Sequence, residues 1–449
     1  MNFSRTLIVL SLLFILIVTP LGFAQDESVS VWEYDSTFAN EWMLQVYELV
    51  RDNNINAPGA SRIYAYSSIA MYEGLVNGMS ENFSIGGQMV GLPLLPFPEE
   101  DLVYDYPAIA NASIATVITG LMEEANAPDE TTFTLIDEMR ARQTEVRLEE
   151  SSEDVVERSL ELGDEIGEML LEWIATDNYG PTRKLEYVMP EGEDFMWEVT
   201  TEGEPALEPF WGDLRPFGLA FAEQCDEPIR LDFSSDPSST FYAQAQEVLD
   251  TSDNLTDEQR EIARFWVDSP GDTGLPSGHW ILIGMQFAEA SDLSLGRTIE
   301  MYTLLSMGLA DAFISAWDTK YSVNLLRPVT YINRYQRRNW APYIQSPPFP
   351  EYPSGHSVAS GAAAEILTIM FGQVAFTDRT PIINGHENLQ REFFSFEHAA
   401  NEAAFSRLYG GIHYRAAIEL GVRQGECVGE QVLNNVRLRS ISQSEINLE

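Results

Sequence analysis

Only two lysines occur in the chain, Lys184 and Lys320, and Lys320 stands seven residues before Arg327, which is followed by Pro328. Further on come Pro353-Ser354-Gly355-His356, then Ser406-Arg407, with His413 six residues past that arginine. Such residues suit the holding of a tetrahedral, phosphate-like oxyanion. Lys320, Arg327 and Arg407 supply fixed charge-assisted donors, Ser354 and the Gly355 amide lighter contacts, and His356 a proton carrier. His413 then serves as ligand or nucleophile for the central atom. Chance assembly of the three elements in this order is improbable.

Each group needs an element to position it. Ser354 reads as the cap of a helix over Ala359 to Met370, with Ile366, Leu367 and Met370 on its apolar side. A helix start offers unpaired amides and the positive end of a dipole. The seven-residue spacing of Lys320 and Arg327 is two turns, predicting one helix face that Pro328 ends. Gly410-Gly411 predicts a bend that lets Arg407 and His413 converge. A second Pro-Ser-Gly-His, Pro276 to His279, has no basic element ahead of it and precedes the bulky Trp280-Ile281-Leu282. It reads as a structural turn into a helix. His386 and His398 have no motif around them and read as surface or packing residues.

Helical periodicity extends over most of the remaining chain. It covers Ser36 to Val76 with a break at Asn53 to Pro58, Ala108 to Met122, and Thr131 to Trp173. In the last of these, Val155, Ser159, Leu162, Ile166, Met169 and Trp173 form one stripe. Further helices are predicted over Ser239 to Asp250, Thr256 to Phe265 with a capping box at Thr256 and Gln259, Trp280 to Ala290, Gly296 to Asn324, and Asn388 to Val436. Gly86 to Asp105 reads as loop, and the irregular Gly180 to Pro216 as a wrap over the helices and a candidate lid. No strand ladder and no close repeat is visible. The expected fold class is therefore mainly α, built of helical bundles without a substantial sheet. The expected division is a leader over 1–24, an N-terminal helical region with its wrap over 25–240, and a C-terminal bundle carrying the anion site over 241–449.

At 449 residues the chain is long enough for a large core, and 70 acidic against 26 basic residues give a formal charge of -44. That balance excludes nucleic-acid binding through a general electrostatic field. A solvated acidic coat with arginine in place of nearly all lysine suits salty water, where screening is short-ranged; a generically acidic secreted protein is the plainer alternative. The first residues read as an export signal: Arg5, the apolar run Leu7 to Val18, and a small-residue site at Gly22-Phe23-Ala24. Export to the periplasm or medium is expected, without stable membrane insertion after cleavage. Cys225 and Cys427 are the only cysteines, and their pairing stays open at this point.

The three elements resemble the signature shared by type 2 phosphatidic acid phosphatases and vanadium-dependent haloperoxidases. The Trp317-Asp-Thr-Lys320-Tyr321 context, the run Pro347 to His356 and the long exported chain resemble the haloperoxidase branch. Weaker likeness extends to Asn56 through Arg62 and to Phe265 through Trp280. The resemblance implies two packed helical bundles and vanadate bound to His413, with its oxygens held by Lys320, Arg327, Ser354, Gly355 and Arg407. It further implies that His356 assists proton transfer, that Lys320 polarises the bound peroxide, and that Trp317 and Phe349 line the pocket as in the chloride-capable type. Hydrogen peroxide, halide and a small organic acceptor are the implied partners, with hypohalous acid as product; homo-oligomerisation is compatible with it. The family often carries an acid four residues after the metal-binding histidine, where this chain has Ala417. A backbone carbonyl or Glu419 is therefore expected to orient His413, and Asp268 to partner Arg407. Two alternatives share the residues: a phosphatase in which His413 attacks phosphorus while His356 protonates the leaving group, and a non-catalytic helical anion-binding protein.

Overall fold

The computed structural model describes residues 28–125, 130–190, 192–200, 203–229, 232–386 and 389–439. The expected leader and Asn388 lie outside them. The architecture is mainly α. In chain order the helices are α1 (Thr37–Asp52), α2 (Ala57–Leu75), α3 (Tyr106–Glu124), α4 (Glu130–Glu150), α5 (Glu153–Ile174), the single turn α6 (Tyr179–Thr182), α7 (Thr240–Asp253) and α8 (Asp257–Phe265). There follow α9 (Leu275–Ala290), α10 (Leu295–Val323), α11 (Pro328–Tyr335), α12 (Gly355–Phe371), the short α13 (Thr380–Ile383), α14 (Phe396–Tyr409) and α15 (Arg415–Asn435). Among the described residues the sheet is one antiparallel pair, β1 (Phe376–Asp378) against β2 (Arg391–Phe393).

Local sequence explains most boundaries. Asn56 caps α2 by accepting from the Gly59 amide, and the Thr256 capping box opens α8 as its spacing predicts. Three expectations need correction. The acidic stretch to Trp173 is two helices, because Ser152 turns extended and caps α5. The buried face of α5 runs through Val156, Ser159, Gly163, Ile166, Leu170 and Trp173, so Leu162 and Met169 sit at its edge. A Cβ on Gly163 would lie 2.2 Å from the Ile109 carbonyl, so this close approach to α3 depends on glycine and not on the bulkiest side chains. Second, the span to Val436 is a strand and two helices, divided at a bend where Gly411 takes φ 78.

The third correction concerns the site directly. Lys320 and Arg327 do not share a helix. α10 ends at Val323, where Asn324 adopts a left-handed conformation at φ 52. The chain then runs extended, with Leu326 N–H donating to the Phe195 carbonyl, and Arg327 stands before α11. Pro328 opens that helix: proline's fixed φ and missing N–H cost nothing in a first turn.

The main apolar core joins α1, α2, α3 and α5 to α9, α10, α12 and α14, and a second cluster gathers Phe241, Leu326, Tyr331, Tyr414 and Ala417. α12 packs along α15 at backbone distance. A Cβ on Gly425 would lie 2.1 Å from the Val358 carbonyl, and one on Gly361 would lie 2.3 Å from the Val422 carbonyl. Gly425→Ala gains about 1 kcal/mol of helix propensity. The overlap with backbone costs more, about 1–3 kcal/mol or above, so the variant is expected to melt earlier in a thermal scan.

Cys225 and Cys427 form a disulfide across 202 residues, tying the short turn Ala222–Cys225 to α15. Reduction is expected to lower unfolding free energy by about 2–5 kcal/mol, read as a shifted denaturant midpoint. No helix among the described residues is long and apolar enough to cross a membrane.

Candidate active site

A cleft of about 940 Å³ opens at the start of α12, lined by Gly355, His356, Arg407 and His413 on its polar side and by Phe313, Trp317, Phe349 and Tyr343 among its apolar walls. Lys320, Arg327 and Ser354 stand behind this lining, fully buried. The three sequence elements therefore meet at one place. Ser354 caps α12 by accepting from the Ser357 amide, while its own N–H donates to the Ala417 carbonyl. The amides of Gly355 and His356, first in the helix, have no intrahelical acceptor.

His413 is buried, and its Nδ1 lies 2.9 Å from Glu351 Oε1, which also accepts the Tyr414 amide at 2.8 Å. This corrects the expected orienting group. Glu419 pairs with Arg415 instead, and the Ala417 carbonyl serves Ser354. With Nδ1–H donating to the carboxylate, the lone pair sits on Nε2, the tautomer a metal-ligating imidazole requires. Burial first, and then the charges of Arg327, Lys320 and Arg407, hold the His413 pKa well below the usual imidazole value. Its ring stays neutral. Burial raises Glu351 to about 7 against the opposing pull of Arg327 and Lys320.

Arg327 donates from Nε to the Phe349 carbonyl and from Nη1 to the Ile412 carbonyl, both at 3.0 Å, and Nη1 lies 3.1 Å from His413 Nε2. Its Nη2 has no partner, nor has Nε of Arg407, whose Nη1 donates to the Trp266 carbonyl at 2.6 Å. Lys320 directs its ammonium at the carbonyls of Pro350, Glu351 and Pro353. Burial and the neighbouring Arg327 hold its pKa well below the ordinary lysine value. It reaches an oxyanion only by giving up one carbonyl. Burial lowers Arg327 and Arg407 to about 10, so both remain cationic at neutral pH.

His356 reaches the cleft, and burial together with Arg407 lowers its pKa to about 4. Its Nε2 faces Asp268 Oδ2 at 3.6 Å, and both atoms lack a hydrogen-bond partner. Asp268 was expected to pair with Arg407; its ion-pair partner is instead His279, it faces the neutral His356 ring, and it acts on Arg407 through charge alone. His386 and His398 are exposed, as expected, the latter stacked on Phe394. The irregular wrap meets the site at Leu207, whose carbonyl accepts from Trp317 Nε1 and Tyr321 OH.

This donor set fits an anion. Buried guanidinium nitrogens without partners flank a neutral histidine lone pair and free helix amides, and burying such donors unpaired is costly. Among the described residues no three His, Cys, Asp or Glu side chains gather as a cation site.

Comparisons with known proteins agree with that chemistry. The family model for the VCPO second helical-bundle domain matches residues 300–440, the span that holds all three elements. The crystal structure of the first bacterial vanadium-dependent iodoperoxidase is 34% identical, with TM-score 0.81, covering 91% of this chain and 98% of that one. The chain belongs to the vanadium-dependent haloperoxidases. Holo and apo structures of a bacterial vanadium-dependent chloroperoxidase share the fold, at 14% and 16% identity with TM-scores 0.65 and 0.63. They cover 92% and 86% of this chain, and 98% and 95% of their own. No curated protein matches. A vanadate oxyanion would find donors here in Arg327, Arg407 and the α12 amides, in Lys320 once it gives up a carbonyl, and a ligand lone pair in His413 Nε2.

Sequence reasoning missed Glu351, although it lies inside the motif that runs from Pro347 to His356. An acid three residues before the cap was a usable signal. It also missed Asp378, which sits in a three-residue strand and carries no signal at all.

Proposed function

We propose that this chain is an exported vanadium-dependent haloperoxidase that oxidises iodide with hydrogen peroxide to hypoiodous acid, which reacts with a small organic acceptor in the cleft. The observation that carries the reading is the neutral His413, its Nδ1–H engaged by Glu351, facing two arginines that keep unpartnered donors. Vanadate bound there supplies a Lewis acid that activates peroxide without changing oxidation state. The rest falls to the chain. Arg327 and Arg407 bind and orient the anion, and the α12 amides add donors. The overall conversion of halide and peroxide to hypohalous acid and water consumes one proton, and His356, neutral above about pH 4, can hold it at Nε2 beside Asp268. Trp317 and Phe349 keep the anion side of the cleft dry.

Iodide is chosen over chloride because the 34% identical neighbour is an iodoperoxidase, whereas the chloroperoxidase likeness lies at 14–16%. Trp317 and Phe349 argue for chloride only by analogy of position. The disulfide supports export, since such bonds persist in oxidising compartments.

Purified protein loaded with orthovanadate is expected to halogenate a dye with peroxide fastest in iodide, then bromide, then chloride, with added phosphate suppressing the rate. Hydrolysis of a phosphate ester by the vanadate-free protein, with no halogenation, would place it with the phosphatases. Silence in both assays would leave a non-catalytic anion binder.

A further inference from the structure

The second Pro-Ser-Gly-His has no part in that reaction, yet its histidine is built into the site. His279 is fully buried at 1% exposure, the fifth residue of α9. Its Nδ1 lies 3.0 Å from Asp268 Oδ1 and its Nε2 lies 2.8 Å from Asp378 Oδ2. Two carboxylates can each be satisfied only if both ring nitrogens carry hydrogen, so the ring is an imidazolium. Burial opposes that charge, and the two carboxylates outweigh it, raising the pKa to about 10.

The surroundings leave little slack. Trp266 stacks flat on the ring at 4.3 Å, and its carbonyl is the acceptor for Arg407. A Cβ on Gly278 would lie 2.5 Å from Tyr64 OH, and Asp268 itself holds a left-handed backbone at φ 45. Asp378 is fixed in turn by the Thr380 amide, which donates to its Oδ1 at 2.8 Å. The string thus runs from Asp378 through His279 and Asp268 to His356.

We propose that His279, clamped between Asp268 and Asp378, is a positioning residue: it aims the free oxygen of Asp268 at His356 Nε2. Its effect on turnover rests on the haloperoxidase reading; its effect on the His356 ring does not.

The test uses the full chain, vanadate-free and labelled with 15N-histidine, in which five imidazoles are to be resolved. The wild-type His279 ring is expected to show two N–H protons at neutral pH, and a single N–H overturns the proposal without any variant. Asp378→Asn keeps side-chain volume and alters an atom that touches His279 and not His356. It is expected to move the His356 ring signals and to lower kcat/KM for peroxide about tenfold, as second-sphere changes do. The vanadate-induced rise in Tm should stay as in wild type. Adding Asp378→Asn to His356→Ala should cost nothing further. Unmoved His356 signals, or losses that multiply in the double variant, would show that the string is only packing. A wild type with no halogenation would remove the haloperoxidase reading, and the ring signals would still decide the positioning claim.

Discussion

His413→Ala is expected to lower vanadate-dependent halogenation at least about a thousandfold, equivalent to ~4 kcal/mol of transition-state stabilisation. The loss is large because the imidazole is the one group facing the anion that offers a lone pair, and nothing near it can substitute. Arg327 Nη1 sits 3.1 Å from Nε2 but only donates, and Glu351 faces the other ring nitrogen. Removing the ring also leaves Glu351 Oε1 with the Tyr414 amide as its remaining partner. Binding has its own readout. A ligand at a hundred times its Kd stabilises the folded state by about 2.7 kcal/mol. The wild-type thermal shift on adding orthovanadate should therefore shrink or vanish in the variant. Full halogenation by His413→Ala would sink the assignment of this histidine, and with it both enzymatic readings of the site.

The site was legible in the sequence to the extent that its chemistry sits in short runs. Lys320, Arg327, the cap at Ser354, His356, Arg407 and His413 were found because cations, a helix start and histidines recur at spacings with few other uses. What escaped depends on the fold returning distant segments to one point. The spacing of Lys320 and Arg327 fits a helix equally well, and only the left-handed Asn324 tells that the helix stops between them. Most of the long helical stretches were readable from periodicity, and their divisions and faces less so. On α5 the closest contact is made by Gly163, which a search for bulky apolar stripes passes over. His279 was read as structural from its neighbours in sequence, whereas its partners Asp268 and Asp378 lie 11 and 99 residues away. No pattern local to one segment registers a string of that kind.

Glu351 carries the second large prediction. The carboxylate fixes the His413 tautomer, so Glu351→Ala should leave Nδ1–H unpartnered in a dry cavity and let the ring turn. Vanadate affinity is expected to fall about 10–100-fold, the range seen when the partner of a metal-bound imidazole is lost. Glu351→Gln offers an amide oxygen to the same Nδ1–H at nearly equal volume, and should lose less than tenfold. Equal affinity in the alanine variant and wild type would show that the pocket walls alone hold the ring. The charge has a separate signature in stability. Burial lifts the Glu351 pKa from 4.5 to about 7, so between those values the folded chain keeps a proton that the unfolded chain releases. Stability from this group is then fully present at low pH and declines as pH rises from 4.5 towards 7. Glu73 and Asp311, raised by burial to about 7 and about 6, slope the same way, so the wild-type curve alone assigns nothing. The difference between wild type and Glu351→Gln isolates the group: the glutamine variant should gain on wild type across that window and run parallel to it above. A constant difference from pH 4.5 to 8 would mean that Glu351 is ionised throughout, held by Arg327 and Lys320 more strongly than burial opposes it.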